Sequence, residues 1–135
     1  MTLAKEIVSN SISNSGLINF RITMQRLLEL LDLDEEDDYG ILRPTEYAFR
    51  TAVKLVVEAY DAIGEKFPKA STATDEVGGI FLDWTSLDPE RTVRLFCPFS
   101  PERRTDIYHH ASDEYGVDDV VSVPTLVQWL QWFNG

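Results

Sequence analysis

The feature that most constrains this fold is a change in the period of its apolar residues. Up to Ile63 they recur at steps of three and four, and from Gly79 they alternate with polar ones. Ile80, Leu82 and Trp84 share one side of the first alternating run, against Phe81, Asp83 and Thr85. In the next run, "RTVRLFC", Val93, Leu95 and Cys97 share a side, with "SLDPER" as the turn between the two. A third run, "TDIYHHAS", follows the loop "PFSPERR". A period of two places successive side chains on opposite faces of a half-buried strand. The expected fold class is therefore α+β: N-terminal helices packed on a three-stranded antiparallel β-meander, with a C-terminal helix.

The helical part divides at its polar punctuation. Phe20, Met24, Leu27 and Leu31, flanked by Ile18, Leu28 and Leu30, predict a helix over Leu17 to Leu33. The preceding "SNSISNSG" is rich in residues that hydrogen-bond their own backbone, and it separates this helix from a short one expected at about Leu3 to Ser9. "DEEDDYG" and Pro44 then form a loop, with Thr45 placed as N-cap and Glu46 near the positive end of the helix dipole. Beyond it Phe49, Val53, Val56, Tyr60 and Ile63 make one stripe, and Ala48, Ala52, Leu55, Ala59 and Ala62 a second, which marks the central helix. Gly64 and Phe67-Pro68 stop it. "DEYGVDDVVS" reads as a polar connection. Ser122 and Pro124 start a last helix whose core stripe is Leu126, Trp129, Leu130 and Phe133, with Gln128 and Gln131 facing away. Residues 1–135 read as one domain.

Charge limits the partners. The net charge of −11 arises from four basic against eight acidic residues over 1–43, four against four over 44–70, and four against eleven over 71–135. Nucleic-acid affinity is driven by Lys and Arg on phosphates, so direct DNA or RNA binding is not expected, and a basic protein partner is. No run approaches the ~18 apolar residues of a membrane helix. The N-terminus has one lysine and no apolar stretch of the signal-peptide kind. With a single cysteine, Cys97, and no internal disulfide, the expected location is the cytoplasm.

Each motif that could carry chemistry has a simpler account. Gly78-Gly79 follow a polar loop and precede a strand, whereas a phosphate-binding loop places its glycines between a strand and a helix N-terminus; a tight turn or bulge is expected instead. A calcium-loop frame starting at Glu35 puts Gly40 sixth and Glu46 twelfth, but lacks the first Asp and offers Tyr39 fifth, so a solvated helix connection is expected. His109 and His110 would point to opposite faces of a strand. With Cys97 opposite Thr105, His109 lies roughly 13 Å along at ~3.3 Å per residue, too far for a dyad. Cys97 is expected to be a small buried hydrophobe. Asp113, Glu114, Asp118 and Asp119 read as a solvated turn. No catalytic, cofactor-binding or metal-ligating residue is assigned.

The run Asp37, Tyr39, Gly40, then Pro44 with Ala48 and Ala52 on the next helix, then Gly78-Gly79-Ile80-x-Leu82-x-Trp84, resembles a widespread group of small uncharacterised bacterial proteins. That group commonly shows a "WDGYG" loop, an alanine-rich helix and a "dGGI-x-L-x-W" strand. Here Glu36 stands where the group often has tryptophan, and Asp38 where it has glycine. The resemblance covers about half of the chain. It implies an α+β fold and an accessory role of the kind found in mobile or defence-type gene neighbourhoods.

The function expected is that of a non-catalytic cytoplasmic interaction module with an acidic surface for a basic partner, able also to form a homodimer. A small metal-dependent hydrolase or nuclease using loop carboxylates and a histidine is one alternative, and an acidic nucleic-acid mimic is another. The candidate interaction residues are Asp37, Asp38 and Tyr39 of the acidic loop, the adjacent basic pair Arg103 and Arg104, and Trp132. Trp132 falls on the flank of its helix, where it either marks an interface or packs on the edge strand.

Overall fold

The computed structural model describes residues 15–36, 38, 40, 42–119 and 121–135. The short helix expected at Leu3 to Ser9 lies outside them, as do Asp37 and Tyr39. Helix α1 (Ser15–Glu29) runs into a 3₁₀ turn at Leu30–Asp32, and α2 (Glu46–Ile63) into another at Gly64–Lys66. Strands β1 (Ser71–Thr74), β2 (Ile80–Leu87), β3 (Glu90–Cys97), β4 (Asp106–Ala111) and β5 (Glu114–Asp118) follow, and α3 (Val123–Asn134) closes the chain. The strands form a single antiparallel sheet in the order β1-β2-β3-β4-β5.

The α+β class stands, but the three-stranded meander is corrected to five strands. The additional strands sit at the two edges. β1 is "STAT", with no apolar side chain longer than alanine, and pairs Thr72 with Leu82 and Thr74 with Ile80. β5 occupies the segment expected to be a polar connection, "EYGVD", and pairs His109 with Gly116. Neither buries a large side chain, so neither leaves the alternation by which the inner strands are recognised. Both are held by backbone hydrogen bonds that any non-proline residue can make.

The three inner strands place their apolar residues as the alternation predicts. Ile80, Leu82, Trp84, Val93, Leu95, Cys97 and Ile107 are all fully buried on one face. Helix α2 lies over them with Ala48, Ala52 and Ala59 fully buried, small enough to admit a close approach. Thr45 caps α2 as expected: its Oγ1 accepts from Ala48 N at 3.1 Å and donates to the Phe99 carbonyl at 2.7 Å. One residue thus ties the start of the central helix to the loop between β3 and β4. At the other end Gly64, with φ of 57°, donates to the Tyr60 carbonyl and ends α2.

Helix α1 differs from its expected stripe in one respect. Leu27 is buried, but Leu30 rather than Leu31 completes the face. The helix tightens at Leu30 into a 3₁₀ turn with three residues per turn, which brings a residue at i+3 under Leu27. Thr23 is also fully buried. It is satisfied on both sides, donating to the Asn19 carbonyl at 2.9 Å and accepting from Ala70 N at 3.0 Å. Arg26 donates to the Ala70 carbonyl at 2.8 Å and Asn19 to that of Phe67 at 3.0 Å. α1 therefore supplies partners to the polar backbone just ahead of β1.

An aromatic cluster joins these layers. Phe67, fully buried, meets Phe20, Tyr60 and Trp84 edge-on at centroid distances of 6.0, 5.9 and 6.4 Å. Trp84 Nε1 donates to the Pro68 carbonyl at 2.9 Å, so its one polar atom is not left unpaired in the core. In α3, Leu126 and Leu130 are buried and Gln128 and Gln131 exposed, as the stripe predicts. Ser122 precedes the helix, but its hydroxyl pairs with that of Thr125 at 3.0 Å instead of capping a backbone amide. None of the described helices is long and apolar enough to cross a membrane.

Candidate functional site: the uncovered face of the sheet

The pleat that buries Leu82 and Leu95 turns their neighbours outward, and among the described residues no helix packs on that outer face. Phe81 and Phe96 are directly opposed across β2 and β3, with ring centroids 4.9 Å apart. One pair along, Asp83 faces Arg94 and accepts from its Nε at 2.6 Å and its Nη2 at 3.3 Å. The Arg94 guanidinium also lies 5.1 Å above the Phe81 ring. The hydrogen bond to Asp83 raises the Arg94 pKa, partial burial opposing it. On β4 Tyr108 and His110 stack at 6.3 Å, and His110 Nδ1 is 3.9 Å from Glu90.

β5 continues this face to its edge. Tyr115 stands opposite His110 and Val117 opposite Tyr108. They are 78% and 55% exposed, large apolar groups left in water on an edge strand. Acids flank them in sequence: Asp113, Glu114, Asp118 and Asp119. Asp118 turns inward and accepts from Trp129 Nε1, which anchors β5 to α3.

At the opposite corner, by the β3–β4 loop, lies a groove of about 580 Å³. Val77, Phe96 and Phe99 provide apolar walls, and Arg103, Arg104 and Asp106 are on its lining. The turn that carries Val77 is well fastened. Asp75 Oδ1 accepts from Val77 N at 3.0 Å and Gly79 N at 2.7 Å, and Thr45 N donates to the Gly78 carbonyl at 2.9 Å. Gly78 has φ of 95°, a conformation that residues with a Cβ rarely adopt, and a Cβ there would lie 3.0 Å from the Thr45 methyl. The Gly78-Gly79 pair thus forms a tight entry into β2, as expected, with the Gly79 amide directed at Asp75 within the chain.

The candidate residues named from sequence do not form one site. Arg103 and Arg104 are exposed at the groove, with the Arg103 guanidinium 5.9 Å from the Phe99 ring centre. Asp38 is exposed in the acidic loop, while Asp37 and Tyr39 lie outside the described residues. Trp132 is on the inner side of the sheet, half-buried. It meets His109 and Trp129 edge-on at 5.5 Å each, the Arg91 guanidinium lies 5.2 Å over it, and its carbonyl accepts from Arg91 at 2.6 Å. Trp132 thus packs on β3 and β4, inner strands of the five-stranded sheet, and not on an edge strand.

The two histidines point to opposite faces. His109 stacks on Trp129 at 3.8 Å, over Gly116, where a Cβ would come within 2.8 Å of the imidazole. Its Nδ1 is buried and has no hydrogen-bond partner among the described residues. Cys97 does not pair with it, since His109 faces Val93 in the register, four residues back along β3. Burial pushes the Cys97 thiol up to about 12, so the thiolate that nucleophilic chemistry needs is disfavoured. Among the described residues no three His, Cys, Asp or Glu side chains lie close enough to share a metal ion.

The residues that sequence reasoning missed are Tyr115 and Val117 at the β5 edge and the Val77–Phe96–Phe99 walls. Tyr115 and Val117 stand in a short segment rich in acids, which reads as a polar connection and gives no signal for the first. The second has no local signal, because its walls come from three separate segments. No family model, curated protein or solved structure matches the chain.

Proposed function

We propose that the protein is a non-catalytic interaction module that binds a basic protein partner at the β5 edge and the adjoining outer face of the sheet. The observation that carries this reading is an edge strand whose large side chains, Tyr115 and Val117, face water instead of the core. An edge strand offers unpaired backbone donors and acceptors, and extended segments bind such edges by adding a strand. Tyrosine beside a stacked Tyr108–His110 pair supplies the aromatic surface on which interface energy concentrates.

Charge chooses the partner. An antiparallel pairing of two β5 strands centred on Gly116 would set Glu114 of each copy against Asp118 of the other, and directly opposed like charges destabilise a strand pair. The same carboxylates favour a segment bearing Lys or Arg, so a basic partner is preferred to a homodimer through this edge. The resemblance to small bacterial accessory proteins and the single buried cysteine agree with a cytoplasmic adaptor of this type.

The test is cross-linked capture from host cells by the tagged protein, compared with Tyr115→Ser/Val117→Ser and with Asp113→Asn/Glu114→Gln. A stoichiometric basic partner, lost in both variants and weakened by salt, is the expected result. A partner retained by both variants would overturn the assignment of the surface, and the absence of a partner would overturn the function.

A further inference from the structure

The groove beside the β3–β4 loop carries a second inference, independent of partner docking at β5. Its arginines differ from most others in the structure. Arg50 and Arg94 pair with Glu46 and Asp83, and Arg26, Arg43 and Arg91 donate to backbone carbonyls. Arg103 and Arg104 have no carboxylate partner among the described residues, although the chain carries nearly twice as many acids as bases. Two adjacent guanidiniums without an ion-pair partner among the described residues, next to an apolar cleft, have the chemistry that a carboxylate with an apolar body requires.

The acids on the lining make no ion pair with them among the described residues. Asp75 directs Oδ1 to the amides of Val77 and Gly79. Asp106 has its carboxyl pushed up from the ordinary value, by burial first and by Asp119 second. A guanidinium in contact would push it the other way. Glu102, in the same loop, makes no ion pair with either arginine among the described residues.

The walls are held in advance of any ligand. Thr45 fixes the Phe99 carbonyl at 2.7 Å, and Arg103 N donates to the Ser100 carbonyl at 3.2 Å, closing the loop as a turn. Phe96 is braced by Phe81 and lies over Gly79, where a Cβ would come within 3.0 Å of its ring. A volume of about 580 Å³ suits a small molecule. We propose that this groove binds a small organic acid with a flat apolar body, its carboxylate on Arg103 and Arg104 and its body between Val77, Phe96 and Phe99.

The test is an NMR titration of the isotopically labelled full chain with 3-phenylpropionate, its neutral isostere 3-phenylpropanamide, and a short peptide ending in phenylalanine. The acid is expected to shift the amide signals of Val77, Phe96, Phe99 and Arg103 saturably and to bind at least tenfold more tightly than the amide. Arg103→Gln/Arg104→Gln, at an exposed loop tip, should erase that preference, and Phe96→Ala should weaken both ligands. Tyr115→Ser should leave acid binding unchanged, which separates this site from the β5 surface. No saturable shift, equal affinity for acid and amide, or an undiminished preference in the double variant would overturn the proposal. So would binding of the peptide without the free acid, which would indicate capture of a protein C-terminus instead.

Discussion

The two faces of the β2–β3 pair are built from alternate residues of the same strands and do opposite things. Inward, Leu82 meets Leu95 and Trp84 meets Val93, all without solvent exposure. Outward, Phe81 meets Phe96 and Asp83 meets Arg94, and each keeps some contact with water. The inner face derives its energy from apolar area removed from water, at about 25 cal/mol per Å². The outer face holds its aromatics in cross-strand and cation–π contacts worth about 0.2–1 kcal/mol each. Substitutions should therefore separate cleanly into those that change stability and those that change binding.

The comparison would break first at Trp84. Trp84→Ala empties a fully buried site beside Phe67 and leaves the Pro68 carbonyl without its donor. A loss of about 3–5 kcal/mol is expected in urea unfolding, and a loss below 1 kcal/mol would mean that the inner face is not the core. Thr45→Ala should cost about 1–2 kcal/mol, since it removes an N-cap and the tie to Phe99 together. Amide exchange in the β3–β4 loop should rise in that variant, and an unchanged loop would show that the groove is held by other contacts.

Cys97 sharpens the contrast through pH. Its thiol is raised from 9.0 to about 12 in the folded chain. Between those values the native state keeps a proton that the unfolded chain has released, so this group's contribution is complete below pH 9 and falls as pH rises towards 12. Wild type should lose stability over that interval more steeply than Cys97→Ala, as measured by denaturant midpoints at matched pH. Parallel slopes would mean that Cys97 is not enclosed. On the outer face Tyr115→Ser should move stability by less than about 0.5 kcal/mol while abolishing partner capture. A large stability loss there would mean that Tyr115 belongs to the core.

Much of the fold is legible in the sequence, and the exceptions share one cause. The stripe Phe49, Val53, Val56 with Ala48, Ala52 marked α2, and Thr45 marked its start. Ile80, Leu82, Trp84 and Val93, Leu95, Cys97 marked the buried side of β2 and β3. β1 and β5 were not recognised, because "STAT" and "EYGVD" bury no large side chain and lie at sheet edges. Of the groove only Arg103 and Arg104 were legible, since their adjacency shows in the sequence, and the outward Tyr115 and Val117 needed β5 to be placed first. Val77, Phe96 and Phe99 become neighbours only when the turn before β2 meets the loop after β3.

By itself, then, the sequence determined where helices and inner strands lie and which of their faces is apolar, since a buried side chain leaves its period in the chain. The tertiary structure decided that the sheet has five strands, that among the described residues no helix covers one of its faces, with Tyr115 and Val117 at the edge, and that the Arg103–Arg104 pair borders an apolar groove. Edge strands are held by backbone hydrogen bonds that most residue types can make, and grooves by contacts between segments remote in the chain. Neither writes a local pattern.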